Sequence, residues 1–276
     1  MPAIVKEIID FEEWDRLVDN SPQGTIFSST KWMSLFNEPF KLYGVYKNGN
    51  LIGGIGGFDH YMPLTPFQGV LVAPYNGKYV GLMSQHNEVS EALIDVLPKE
   101  FYNHYTYPDI RPFLWKGYQV NIKYTYVVDM KIKEEMWNNL EKDTRNLIRQ
   151  HEGIKITTDN RLEFAKMYTL TFLRQSIDIP VKIEALWLLF ESMQPDIYTS
   201  EDAGVAIIKD SKRAYYLLGA SIQPNQSAYV LWHALCDQYL KGVKEMDLVG
   251  CNSRERGAFK KQFGGRLMPY YGIKAI

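Results

Sequence analysis

Lys260 and Lys261 stand between Phe259 and Phe263 near the end of this 276-residue chain, with Asp247 a short way upstream. A lysine fixed by apolar neighbours is a preplaced cation. Such a cation stabilises an oxygen that turns negative while a carbonyl is attacked. An amine that attacks must be neutral, so a base is wanted, and Asp247 is a candidate for it. Tyr215 and Tyr216 lie on a predicted neighbouring strand and add two hydroxyls. Strand alternation sends these to opposite faces, so at most one lines a given cleft.

Two further groups suit anions. Lys142, Arg145 and Arg149 are spaced i, i+3, i+7, which puts them on one helix face. Arginine there can grip carboxylate or phosphate in a bidentate fork. Between Arg254 and Arg266 five basic residues accompany one acidic residue, a local excess within a chain of 31 basic and 32 acidic residues. Global charge gives no reason to expect non-specific nucleic-acid binding.

The elements that must position these residues are legible in part. A strand over 245–249 meets Gly250 and a polar loop. A brief helix then carries Phe259 and Phe263 on one face, and Gly264-Gly265 ends it, glycine accepting the left-handed turn at little cost. Upstream, the spacing predicts a strand over 213–221 feeding a helix that begins at Ser227. Free N–H groups and the dipole at such a helix start can hold an anion, which makes Ser227 a binding candidate. That helix buries Ala228, Leu231, Leu235 and Tyr239. A long helix is expected from Glu134 to His151, a helix capped at Asp159, another opening at Pro180, and strands near 197–202 and 204–210.

The first half repeats the scheme in shorter form. It predicts a strand over 3–9 and a helix capped by Asp10 that buries Phe11, Trp14, Leu17 and Val18. A second helix is capped within Ser28-Ser29-Thr30. A hairpin turns at Lys47-Asn48-Gly49-Asn50, since Asn-Gly favours the type I′ turn. A strand over 69–73, a helix near 88–105 and two strands up to Met130 follow. Hairpins mixed with helices in both halves predict an α+β protein with a boundary near 125–131, giving domains 1–128 and 129–276.

Several chemistries lack their residues. Cys236 and Cys251 form no C-x-x-C motif, and the histidines at 60, 86, 104, 151 and 233 show no metal-ligand spacing. There is no Gly-x-Ser-x-Gly elbow. Gly53-Gly54-Ile55-Gly56-Gly57 lies inside a predicted hairpin strand and opens no helix, so its glycines admit a close neighbour or a bulge. No run approaches the roughly twenty apolar residues of a membrane span. Two free thiols and the absence of a signal-like N-terminus predict a cytoplasmic protein.

The order strand, Gly, loop, Phe259-Lys260-Lys261-Gln262-Phe263-Gly264-Gly265, strand resembles the C-terminal signature of the FemABX-like acyltransferases, tandem relatives of the GNAT (Gcn5-related N-acetyltransferase) fold. Thr144 to Arg149 resembles the basic helix that opens their second domain. Thr25 to Trp32 resembles their "phenylalanine, short polar run, tryptophan" segment. The resemblance implies two GNAT-like domains, each a mixed, mostly antiparallel sheet flanked by helices, the second carrying the signature. It implies amide formation on a small amine, amino-sugar or peptidoglycan-precursor acceptor, from an acyl-CoA or other thioester, or an aminoacyl-tRNA donor, with no permanently bound cofactor and no metal. It gives Lys260 the oxyanion-stabilising role, with Asp247 and Tyr215 as catalytic candidates and Arg145, Arg149, Trp32, Tyr216, Ser227 and Lys261 as binding candidates. Two departures stand out. Gln223 to Ala228 lacks the glycines with which GNAT enzymes grip pyrophosphate, which points towards aminoacyl-tRNA. Phe36 stands where peptidoglycan-bridge members often carry a lysine. A non-catalytic binding or assembly module on the same fold is the alternative expectation.

Overall fold

The computed structural model describes residues 2–60, 62, 64–74, 79–223 and 226–276. The chain divides into two compact units, Met1–Lys123 with Pro269–Ile276, and Tyr124–Met268. Two strands, β6 (Gln119–Asp129) and β12 (Arg266–Lys274), contribute residues to both units. Both units mix sheet and helix, so the architecture is α+β, as expected from the interleaved hairpins and helices.

In the first unit β1 (Ile4–Glu7), β2 (Lys41–Lys47), β3 (Asn50–Gly57) and β4 (Leu71–Val72) form an antiparallel sheet in that order. The β2–β3 turn has Asn48 and Gly49 at φ 52° and 82°, the left-handed pair a type I′ turn demands. The β3 glycines serve close approach: a Cβ on Gly54 would meet the Tyr43 carbonyl at 2.4 Å, and one on Gly56 the Trp14 ring at 2.6 Å. Helix α1 (Phe11–Asn20) is capped by Asp10, which accepts the Glu12 N–H at 2.9 Å. It buries Trp14, Leu17 and Val18, but Phe11, at the first helical position, stays half exposed against Phe40. Ser29 caps α2 (Thr30–Met33). The helix expected near 88–105 is instead α3 (Tyr79–Leu93), followed by β5 (Glu100–Asn103). Pro98 and the aromatic pair Phe101-Tyr102 favour the extended chain there. Helix α4 (Arg111–Trp115) precedes β6, and β5 pairs with the end of β12, Phe101 opposite Ile273.

His86 on α3 is buried edge-on to Tyr107, ring centroids 5.1 Å apart. Burial lowers its pKa to about 4, against a smaller opposing pull from Asp109. The unfolded chain therefore binds a proton near pH 6.5 that the folded chain refuses until about pH 4. Stability is present above 6.5 and is lost as pH falls through that window, by about 3 kcal/mol when complete. Urea unfolding at pH 7 and 4.5 should show this loss, and His86→Gln should remove that part of the pH dependence.

The second unit orders its strands β6-β11-β10-β9-β8-β7, where β7 is Thr157–Thr158, β8 Asp196–Thr199, β9 Ala203–Lys209, β10 Ala214–Ser221 and β11 Glu245–Asp247. Every pairing in that order is antiparallel except β10 with β11, which is parallel. Helices α7 (Arg161–Gln175), α8 (Ile183–Met193) and α9 (Ser227–Leu240) accompany it, α9 burying Ala228, Leu231 and Leu235. Asn160, not Asp159, caps α7, accepting the Glu163 N–H at 3.2 Å. The single helix expected over 134–151 is two, α5 (Lys133–Asn139) and α6 (Lys142–Gln150). Leu140 turns into the core in extended conformation, and the Glu141 N–H bonds the Gln262 carbonyl at 3.0 Å instead of continuing the helix. Helix α10 (Arg254–Lys261) closes the unit before β12. Among the described residues no helix is long and apolar enough to cross a membrane, and none of the His, Cys, Asp and Glu groupings suits a metal ion.

Candidate active site

The parallel pair β10–β11 holds register for two residue pairs only, Ala214 with Met246 and Tyr215 with Asp247. β11 then ends, whereas β10 runs on to Ser221 along β9, with a register irregularity between Tyr216 and Leu218. Beyond Tyr215, then, no strand pairs β10 on the β11 side among the described residues, an edge of the kind that pairs an extended ligand. Its far end is taken by the Thr171 hydroxyl, which accepts the Ser221 N–H at 2.7 Å and donates to the Ser221 carbonyl at 3.2 Å. The departing chain takes an unusual path. Val249 and Gly250 are both left-handed, φ 46° and 54°. For a β-branched residue that conformation costs on the order of 1–3 kcal/mol, so its surroundings must hold it.

Asp247 and Lys260 do the holding. Asp247 Oδ1 accepts the Val249 N–H at 2.7 Å and the Thr125 hydroxyl. The Lys260 ammonium donates to the carbonyls of Val249 and of Gly250, the latter at 3.1 Å. Its cation also lies 5.2 Å from the centroid of the Tyr216 ring. The local sequence explains how Lys260 comes here. Ser253 caps α10, accepting the Arg256 N–H at 3.3 Å. Phe263 is buried and meets Phe259 edge-on at 5.3 Å, anchoring the helix by about 2–3 kcal/mol for the Phe263 side chain. Gly264, φ 70°, reverses the chain.

Both charged groups are removed from water, Asp247 to 0 % exposure and Lys260 to 8 %. Burial lowers the Lys260 pKa to about 8, with Asp247 pulling the other way. Burial raises that of Asp247 to about 6, opposed by its hydrogen bonds from Thr125 and Val249 and by the charges of Arg213 and Lys260. Asp247 Oδ2 has no hydrogen-bond partner among the described residues. Tyr216 is pushed up to about 12 by burial. Its hydroxyl lies 2.0 Å from where a Cβ on Gly219 would stand, so a side chain at that position would displace the Tyr216 ring.

The structure thus brings Lys260, Asp247 and Tyr216 together. Tyr215 is fully buried and donates to Asp210 Oδ2 at 2.7 Å, which occupies its hydroxyl in packing the sheet. Arg145 donates to the Asn138 and Leu140 carbonyls at the end of α5, and the Arg149 guanidinium lies 5.3 Å from the Trp137 ring centroid. Ser227 opens α9 behind Gln226; Pro224 and Asn225 of the preceding loop lie outside the described residues. Trp32, in the first unit, is fully buried and edge-on to Phe27 at 5.0 Å and to Phe36 at 6.0 Å. Lys261 is exposed and pairs with Glu141 at 3.5 Å, which separates it from its neighbour Lys260.

The basic run over 254–266 is less basic in space than in sequence. Lys260 is buried, Lys261 pairs with Glu141, and Arg266 pairs with Asp129 at 2.8 Å and Glu245 at 3.0 Å. The partners come from α6's start, β6 and β11, far away in sequence. The sequence reading passed over Thr125, whose hydroxyl reaches Asp247 from the neighbouring β6, and the left-handed Val249. No local signal marks either; only strand pairing brings them in.

No family model and no curated protein matches the chain. Solved structures do. FemX superposes with a TM-score of 0.71 at 13% identity, covering 98% of this chain and 97% of that one. The C-terminal domain of a putative lysylphosphatidylglycerol synthetase from Agrobacterium fabrum gives 0.56 at 12%, covering 96% and 91%. A GCN5-related N-acetyltransferase from Sphaerobacter thermophilus gives 0.50 at 11%, covering 99% and 95%. At these identities the likeness is one of fold, and the chain shares with FemX an α+β fold of mixed sheets flanked by helices.

Proposed function

We propose that this protein is an N-acyltransferase that makes an amide on a small amine, with Lys260 as its oxyanion-stabilising group. The observation that carries the reading is that Lys260 and Asp247, both buried, grip the Val249 backbone at the splayed end of β10 and β11. A cation in a site screened from water acts on developing charge far more strongly than one in solvent. The open edge of β10 beside it suits an amide-bearing or extended acyl donor. The amine nitrogen bonds to the donor carbonyl carbon, the carbonyl oxygen turns negative near Lys260, and the thiol or hydroxyl leaving group departs with a proton. Asp247 is too deeply buried to meet an incoming amine. Its role in this reading is to keep Lys260 charged and to fix Val249. An acyl thioester is the favoured donor, because of the 254–266 cations only Arg254 and Arg256 are both exposed and without a carboxylate partner among the described residues, little for tRNA to grip. An amino sugar or a peptidoglycan precursor fits the acceptor side. Near-zero net charge and two free cysteines suit the cytoplasm.

A second reading is a binding or assembly module that retains the fold alone. The engagement of the Lys260 ammonium with two backbone carbonyls favours it, since those bonds would compete with an oxyanion.

The pH dependence of single-turnover transfer separates the two. Activity requires Asp247 ionised and Lys260 protonated, so it should rise through about pH 6 and fall through about pH 8, as apparent values of the coupled pair. Asp247→Asn keeps the Oδ1 acceptor but removes the charge that raises the Lys260 pKa. The alkaline limb should then move to lower pH. An unmoved limb would assign the limb to another group and remove Asp247 from the account.

A further inference from the structure

Arg256 stands one turn before Lys260 on α10, and the i, i+4 spacing puts both side chains on one helix face. The two are treated oppositely. Lys260 is buried, whereas Arg256 is exposed, and among the described residues no carboxylate lies within ion-pair distance of its guanidinium. Of its exposed cationic neighbours in the 254–266 run, Lys261 and Arg266 have partners. Arg254, also unpaired among the described residues, lies two positions away and off the Lys260 face of the helix. Helix α10 lies tight against the chain that leaves β11, since a Cβ on Gly257 would stand 3.0 Å from the Cys251 carbonyl. The Arg256 charge is felt by Tyr168 on α7, by Tyr216 on β10 and by Lys260. A guanidinium with no ion-pair partner among the described residues therefore stands on the same face of α10 as Lys260, whose ammonium reaches the Val249–Gly250 turn and the Tyr216 ring where β10 and β11 part. Its planar fork of donors is matched by a carboxylate or a phosphate, bound in two parallel hydrogen bonds.

We propose that Arg256 determines which substrate this site accepts, by holding a carboxylate or phosphate group of that substrate one helical turn from Lys260. The inference rests on the acyl-transfer reading for what the substrate does next, but not for the anion site itself. It also has a consequence for the reaction. Arg256 disfavours the charged form of Lys260, whose pKa burial has already brought to about 8. An anion that neutralises Arg256 raises that pKa, so Lys260 is most fully charged when the correct substrate is in place.

The test uses the full chain and two simple probes, inorganic phosphate and acetate, at fixed ionic strength. Backbone amide shifts of Tyr216 and Gly257 report binding in the wild type, Arg256→Gln, Arg256→Lys and the neighbouring control Arg254→Gln. We expect saturable shifts in the wild type, binding weakened about tenfold or more in Arg256→Gln, partial recovery in Arg256→Lys, and wild-type behaviour in Arg254→Gln. Saturation by phosphate alone identifies a phosphorylated substrate; saturation by acetate identifies a carboxylate. Absence of shifts with both probes, or equal losses in the Arg254 and Arg256 variants, overturns the proposal. Where transfer is measured, Arg256→Gln should raise KM about tenfold with kcat within about threefold, unlike changes at Lys260. Unchanged kinetics would overturn the specificity role. Anion binding at Arg256 in a folded protein that transfers no acyl group would leave the site standing and reject the reaction.

Discussion

Lys260→Met is expected to lower the single-turnover rate of acyl transfer by about 10²–10³-fold, the usual cost of removing one oxyanion-stabilising group. The variant should remain folded. Methionine has nearly the length of lysine and fits beside the Tyr216 ring, a shape-conserving change. Asp247 loses the cation that holds its pKa down. Its pKa therefore moves further up, while the hydrogen bonds from Thr125 and Val249 and the charge of Arg213 still oppose the rise. The carbonyls of Val249 and Gly250 lose their donor, which limits the expected destabilisation to about 2 kcal/mol. Thermal melts and transfer rates measured on the same preparation give the answer. A large loss of rate with a small loss of stability supports a catalytic lysine. A large loss of stability with transfer intact would make Lys260 a clamp for the Val249 turn and nothing more.

Gly264→Ala should be the more damaging change to the fold. Gly264 is left-handed, φ 70°, and a Cβ there would stand 2.5 Å from the Asn139 carbonyl oxygen and 2.9 Å from its carbon. Neither is a flexible side-chain end that can swing aside. The left-handed penalty of about 1–2 kcal/mol adds to a backbone overlap, so a loss of about 3 kcal/mol or more is expected in urea unfolding. The damage falls between α10 and the Leu140 break, so residual folded protein should also show weakened transfer as Lys260 shifts. A wild-type urea midpoint in this variant would mean that the α10 turn is not held as described.

How much of this was legible in the sequence depends on the range of the interaction. Local signals served well. Asn48-Gly49 marked its hairpin, Asp10 and Ser29 capped their helices, and Phe259, Phe263 and Gly264 outlined α10, because each depends on neighbours within four or five residues. The motif resemblance singled out Lys260 from Lys261, but helical spacing alone did not fix which lysine turns inward, which the structure shows by burying Lys260 and leaving Lys261 exposed. Tyr215 shows that even a near neighbour can be missed: its hydroxyl goes to Asp210, five residues upstream in the β9–β10 turn, a contact set by how that turn folds back on the strand. The break at Leu140–Glu141 was invisible because its cause, the Gln262 carbonyl, comes from the far end of the chain. The charge excess over 254–266 misled for the same reason: Glu141, Asp129 and Glu245 neutralise it from distant segments.

The central claim, that this chain transfers acyl groups to nitrogen, is tested most directly by single-turnover assay of the wild-type protein. Labelled acetyl-CoA, an acyl-carrier thioester and charged tRNA would be offered in turn, with a pooled extract of amines, amino sugars and sugar nucleotides as acceptors. The account predicts label in a new amide from a thioester donor, at a rate that peaks between about pH 6 and 8. No amide from any donor, with the protein folded by thermal melt, would contradict it and leave a binding module on an acyltransferase fold.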